Sequence, residues 1–245
     1  MRPAPVATVV AHPVPRAVPT RFVTLHLLLP WIAALLVSWA LMSAGGDQWL
    51  ADQLYRLEGQ QWALQNAWVT TRLIHKGGKW LSAFASLLVL VACFHAWRHA
   101  RWRSWRWPLL YLVLAVGLGT GVVSLLKSLT HMDCPWDLSR YGGLREYVGL
   151  FAARPADMPR GMCFPAGHAS AGYAWVSLYF FALMVRPASR WRGLAVGLLA
   201  GAVFGFAQQL RGAHFLSHDL WTLMTCWTVA VGLYLVGLAV SRTAH

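Results

Sequence analysis

Charged residues are scarce in this sequence: Asp, Glu, Lys and Arg together make up 12% of its 245 residues, against about 25% in a soluble globular domain. Acidic residues are the scarcest, with 8 Asp and Glu facing 21 Lys and Arg. Little charge beside 58% hydrophobic residues and 15 Trp excludes one aqueous core as the fate of all the apolar content. A solvent other than water must cover much of the surface. Cysteines number four, and the His and Cys spacings match none of the usual zinc patterns, so no metal and no cofactor is expected. The length suits one domain, and no repeat at a solenoid period is visible.

What is present is basic charge. A formal net charge of +13 would suggest nucleic acid in a soluble protein. Here the basic residues stand in short clusters between apolar runs rather than along one polar face, so membrane topology accounts for them better. No nucleic-acid partner is expected.

Residues 1–21 are rich in Pro, Ala and Val, carry Arg2, Arg16 and Arg21, and lack helical periodicity; a flexible cytoplasmic tail is expected there. A bilayer core of about 30 Å takes ~20 helical residues. Runs free of Asp, Glu, Lys and Arg extend over Phe22–Ala44, Trp80–Trp97, Pro108–Leu126, Ala169–Val185, Gly193–Leu210 and Leu220–Val240. The first is longer than the apolar region of a cleaved signal peptide. The expected fold is therefore all-α: residues 22–245 form one polytopic membrane domain, a bundle of six transmembrane helices with interfacial helices and loops on the outer side.

Six spans put both termini on one side. Arg98, Arg101, Arg103 and Arg106, then Arg186, Arg190 and Arg192, and finally Arg242, fall on that side. Basic loops stay cytoplasmic, so both termini are expected in the cytoplasm of a bacterial cell, with the protein in the inner membrane. Asp47, Asp52, Glu58, Asp133, Asp137, Glu146, Asp157 and Asp219 then all fall on the outer, periplasmic side. Residues 45–79 form an outer connector whose Trp49, Trp62 and Trp68 suggest interfacial helices. It ends in a basic patch, Arg72 to Lys79, with two open readings: a headgroup anchor or a guide for substrate phosphate.

Three polar clusters interrupt the spans on that outer side: Lys127 to Asp137, Cys163 to Ser170, and Arg211 to Asp219. Ionisable residues at membrane depth are costly and point to function. Lys and Arg beside a Pro-Ala-Gly-His turn at a helix start can hold a tetrahedral anion, helped by backbone N–H groups and the helix dipole. Two imidazoles near that anion permit a nucleophile and a proton donor. These parts describe phosphoryl transfer through a phosphohistidine.

At these clusters the sequence resembles the type-2 phosphatidic acid phosphatase family of membrane lipid phosphatases. That family's pattern is Lys-x6-Arg-Pro, Pro-Ser-Gly-His, then Ser-Arg-x5-His-x3-Asp. Here Lys127 is followed after six residues by Cys134-Pro135, Pro165-Ala166-Gly167-His168 matches the second motif, and Gly212-Ala213-His214 with Ser217 resembles the third. The resemblance covers roughly 108–235. It implies that Lys127 binds phosphate, His168 protonates the leaving oxygen, and His214 attacks phosphorus. Backbone at Ala166 and Gly167 would cradle the equatorial oxygens, and Arg211 would neutralise their charge.

The departures are specific. The first-motif Arg is Cys134, and Arg140, Arg145, Arg154 and Arg160 in the same loop are candidates to replace it. The second-motif Ser is Ala166. Six residues before His214 stands Gln208, with Arg211 three before; four residues after stands His218, with the acid one later at Asp219. Either Asp219 reaches His214 from a shifted turn or His218 takes the orienting role. His131 is either a binding residue or an interfacial loop histidine. Cys134 and Cys163 flank two motifs on the oxidising side, and a disulfide between them would clamp those motifs together; two free thiols are the alternative. Cys93 and Cys226 lie within spans and read as buried apolar residues.

The resulting expectation is a phosphatase acting on a lipid phosphate or diphosphate of the undecaprenyl diphosphate, phosphatidylglycerol phosphate or lipid A type, with the bilayer and that lipid as partners. A phosphotransferase using the same histidine and a non-catalytic binder of phospholipid headgroups are the alternatives. Segments 45–79 and 137–160 match no motif and would carry specificity.

Overall fold

A computed structural model describes residues 19–243. Most of the expected tail, residues 1–18, lies outside the described residues, and Thr20 and Arg21 already belong to a helix. No strand occurs among the described residues; Leu138 and Arg145 form an isolated bridge. The long helices are α1 (Thr20–Met42), α2 (Gly46–Leu57), α3 (Val69–Arg98), α4 (Ala100–Leu129), α5 (Ser170–Val185), α6 (Pro187–Leu210) and α7 (Leu216–Thr243).

The chain is an all-α polytopic membrane protein. Five helices, α1, α3, α4, α6 and α7, are long and apolar enough to cross a membrane. They turn large apolar side chains outward, among them Leu36, Trp39, Trp80, Leu81, Phe94 and Leu199. A water-soluble monomer does not leave so much contiguous apolar surface uncovered.

The fourth expected span, Ala169–Val185, departs from the other five. Helix α5 is a shorter apolar helix, about 24 Å long at 1.5 Å per residue. It is instead the most enclosed helix. Ala174, Val176, Ser177 and Phe180 are essentially inaccessible, packed on Leu112, Ala115, Val116 and Val123 of α4 and on Cys226, Ala230 and Val231 of α7. Its apolarity answers to neighbouring helices rather than lipid.

The Gly-rich run in α6 has a packing cause. Gly193, Gly197, Gly201 and Gly205 recur every fourth residue and so share one face. A Cβ at Gly193 would strike Leu178, at Gly197 the backbone of Val176, at Gly201 the Tyr173 ring, and at Gly205 the Asp219 carboxylate. Small residues at this spacing let α6 lie backbone-close to its neighbours.

The outer connector ends earlier than residue 79: residues 72–79 of the basic patch are the opening turns of α3, which begins at Val69. The apolar-run criterion missed those turns because they carry Arg72, His75, Lys76 and Lys79. Upstream, α2 buries Asp47, Ala51 and Leu54, spaced to share one helix face, against Trp62, Leu138, Tyr141 and Phe215. Asp47 Oδ1 accepts the backbone N–H of Ser217 at 2.9 Å, supplying from a distant segment the cap that the start of α7 lacks locally. Burial raises the Asp47 carboxyl pKa, opposed by its bonds from Ser217.

Candidate active site

Three separate stretches meet at one end of the bundle. Lys127 stands in the last turn of α4, His168 just before α5, and Arg211 and His214 in the α6–α7 turn. All four border one cavity of about 1110 Å³, together with Gly167, His75 and Lys79. Among the described residues, no Asp or Glu lies on its wall.

Each approach has a local cause. Gly167 has room for Lys127 because it lacks a side chain: a Cβ there would lie 3.3 Å from Lys127 Cδ and 3.5 Å from Nζ. The Pro165–His168 turn is tied to α7, with Ala166 N–H donating to the His218 carbonyl at 3.2 Å and the Thr222 hydroxyl donating to the Ala166 carbonyl at 3.1 Å. Cys134 and Cys163 are disulfide-bonded, with Cα atoms 5.3 Å apart, and join the first stretch to the second. The two sulfurs and Asp137 cluster closely, but sulfurs bonded to each other are not thiolate ligands.

The imidazoles form two pairs. His214 Nδ1 lies 3.4 Å from His218 Nδ1; one of the two nitrogens must donate and the other accept. The His168 ring stacks on His75, with centroids 3.8 Å apart and planes at 22°, and is hydrogen-bonded to the Ile74 backbone. His168 Nε2 and His75 Nδ1 are buried without a partner. Burial, then the neighbouring His75 and Arg211, push the His168 pKa down to about 3. Burial, then His218 and Lys127, hold His214 well below the usual imidazole range. Both rings are thus neutral near pH 7.

Several expected residues stand elsewhere. Asp219 does not reach His214; its Oδ2 accepts from Gln209 Nε2 at 2.5 Å. On a helix, one residue turns the side chain about 100°, which sends Asp219 toward α6 and leaves His218 beside His214. Ala166 is fully buried, and with its N–H bonded to His218 it has no donor for an equatorial oxygen. Arg140 makes a two-pronged pair with Asp52 at 2.6 and 2.8 Å. Arg145 bonds Asp133 at 2.5 Å and lies 3.6 Å from Asp137. Arg154 holds the same Asp133 at 2.8 Å. These arginines fold the outer loop, Arg145 and Arg154 through acidic partners within it and Arg140 by tying it to Asp52 of α2. His131 is absent from the cavity wall, and its carbonyl accepts from Arg154 at 2.6 Å.

Among the described residues, Arg211 has only neutral hydrogen-bond partners. Its Nε donates to the Gln65 carbonyl at 2.8 Å and its Nη1 to Gln208 Oε1 at 2.9 Å, while the guanidinium lies 5.9 Å from the Trp136 ring centroid. Burial lowers its pKa. Gln208 also borders the cavity, with Nε2 buried and unpartnered. It occupies the place six before His214, so counting alone located it. Trp136 carried no such signal. His75 and Lys79 could have been separated from Arg72 and Lys76 by helical spacing, since i and i+4 share a face.

Away from the charged end the cavity runs between α3 and α4. From α3 it is lined by His75, Lys79, Ser82, Ser86 and Leu90, and from α4 by Lys127, Ser124, Thr120, Val116 and Leu112. Lys127 and Leu112 stand fifteen helical steps apart, about 22 Å at 1.5 Å per residue. The hydroxyls are spent internally: Ser82 donates to the Ala171 carbonyl, Ser86 to Ser82, Thr120 to Val116 and Ser124 to Thr120. With those groups satisfied, the wall offers methylene and methyl surface.

A family model described as the PAP2 superfamily matches residues 108–241. No curated protein and no solved structure matches the chain.

Proposed function

This chain belongs to the PAP2 superfamily, and from that premise we propose that it is a membrane phosphatase that cleaves phosphate from a lipid at the periplasmic face through a phosphohistidine. One observation carries the lipid reading. The cavity is cationic and imidazole-rich at one end and apolar between α3 and α4 at the other, the polarity of a phosphorylated headgroup joined to a hydrocarbon chain.

In the proposed reaction Lys127 and Arg211 bind the phosphoryl oxygens. His218 accepts the N–H of His214 Nδ1, which leaves the lone pair of Nε2 free to attack phosphorus. As the N–P bond forms, the bond from phosphorus to the bridging oxygen breaks and its electron pair stays on that oxygen. His168 supplies the proton that oxygen needs. Held neutral by burial, His168 gains its proton when the phosphate dianion reverses the local potential. Water then attacks the phosphohistidine, returning its proton through His168 and releasing inorganic phosphate and neutral His214. Transfer to a second lipid would use the same intermediate.

Sidedness is supported by charge and by cysteine chemistry. Arg98, Arg103, Arg186 and Arg192 lie at the end away from the cavity's charged mouth, as expected for cytoplasmic loops. The bonded pair Cys134–Cys163 suits an oxidising compartment. Purified protein given polyprenyl, phosphatidylglycerol and lipid A phosphates should release phosphate from at least one. His214→Ala and His168→Ala should each abolish release. Wild-type protein that releases phosphate from none would leave only headgroup binding.

A further inference from the structure

We infer that His75 and Lys79 form a second phosphate subsite, which makes a lipid diphosphate the preferred substrate. This rests on the phosphatase reading above and says which leaving group the site is built to hold.

The first support is position. His75 and Lys79 lie one helical turn apart on the face of α3 that lines the cavity, and the same face continues through Ser82 and Ser86 into the apolar groove. A lipid whose chain lies in that groove and whose terminal phosphorus faces His214 must pass its remaining headgroup by these two side chains.

The second is the stacked pair. His75 and His168 are parallel at 3.8 Å, and each keeps a buried nitrogen without a protein partner. A buried polar nitrogen left unpaired is destabilising, and in both rings a ligand can supply the missing bond. Two adjacent rings suit two adjacent phosphoryl groups that share one bridging oxygen.

The third is charge. Lys79, Lys127 and Arg211 border the cavity with no carboxylate among the lining residues, and Arg211 is bonded only to neutral groups. A phosphate monoester carries about −1.5 to −2 near neutral pH and leaves part of this charge unmatched. A diphosphate monoester adds a further negative charge on the inner phosphate, beside Lys79.

With such a substrate the bond between the terminal phosphorus and the bridging oxygen breaks as the His214 nitrogen bonds that phosphorus. The electron pair stays on the bridging oxygen, which takes the proton from His168 and becomes a terminal oxygen of the lipid monophosphate. His75 and Lys79 hold that departing phosphate and stabilise its growing charge. Hydrolysis of the phosphohistidine then gives inorganic phosphate.

The test compares farnesyl phosphate with farnesyl diphosphate, which share one chain, on the purified full-length protein. Wild type should favour the diphosphate in kcat/KM by tenfold or more. Lys79→Gln and His75→Gln should each shrink that preference severalfold. As a readout independent of turnover, inorganic diphosphate should bind the His214→Ala protein more tightly than inorganic phosphate does, and Lys79→Gln should narrow the gap. An unchanged preference in both variants, or equal losses on both substrates, overturns the subsite while leaving the phosphatase reading intact. Wild type that hydrolyses neither substrate while still binding diphosphate selectively overturns the phosphatase reading instead.

Discussion

Gly167→Ala adds one methyl group, removes no functional atom, and should still slow the enzyme. The new Cβ would lie 3.3 Å from Lys127 Cδ and 3.5 Å from its Nζ. Contact that tight forces the lysine to retreat by a few tenths of an ångström, since the Gly167 backbone is held by the Ser170 hydroxyl at 2.6 Å and by the bonded Ala166 beside it. A charged hydrogen bond is worth about 1.5–3 kcal/mol. If the retreat forfeits roughly half of it, the barrier rises by about 0.7–1.5 kcal/mol, a three- to tenfold loss in kcat/KM at 1.36 kcal/mol per decade. Lys127→Ala removes the contact entirely and should cost roughly 10²- to 10³-fold, in the range seen for single oxyanion donors. Gly121→Ala, on the same helix with nothing within 4 Å of its Cβ, is the matched control and should be silent. The assay is phosphate release from one lipid substrate, with folding checked by size exclusion and circular dichroism. Full activity in folded Gly167→Ala protein would refute a phosphate-binding Lys127 held against this turn.

Three further outcomes are expected. His218→Ala should lower kcat by roughly 10²- to 10⁴-fold, as loss of an orienting partner does elsewhere, while Asp219→Asn, which can still accept from Gln209, should stay within a few-fold; phosphate-release rates in the reverse order would restore Asp219 to the orienting role. Tungstate stays a dianion across neutral pH, and its binding should raise the His168 pKa from about 3; affinity should therefore fall about tenfold per pH unit between the free and bound pKa values and level off above the bound one, as titration calorimetry at several pH values would measure. Replacing both Cys134 and Cys163 with Ser opens a loop of sequence separation 29, which chain entropy values at about 3–4 kcal/mol; a thermal unfolding midpoint unchanged from wild type would show that other contacts already hold the outer loop.

Much of the fold is legible in one dimension because the bilayer imposes a length and an apolarity on every crossing. Five of the six expected spans are helices long and apolar enough to cross. The exception, Ala169–Val185, is apolar for packing reasons, and composition does not distinguish a helix facing lipid from one facing other helices. The start of α3 was hidden for the opposite reason: Arg72, His75, Lys76 and Lys79 mask helical turns from an apolarity count. At the site, motif order brought out Lys127, His168, Arg211 and His214, all of which border the one cavity.

The sequence by itself determined the membrane class, the helical content and the residue types that can handle phosphate, because periodicity and transfer energy act locally along the chain. It could not assign partners. That Asp219 answers Gln209, that Ala166 spends its N–H on His218, that Arg140 and Arg145 are taken by Asp52 and Asp133, and that His75 stacks on His168 were decided only in three dimensions. Whether a polar side chain is free or satisfied depends on neighbours remote in sequence, and a rotation of one residue on a helix is enough to change which neighbour it meets.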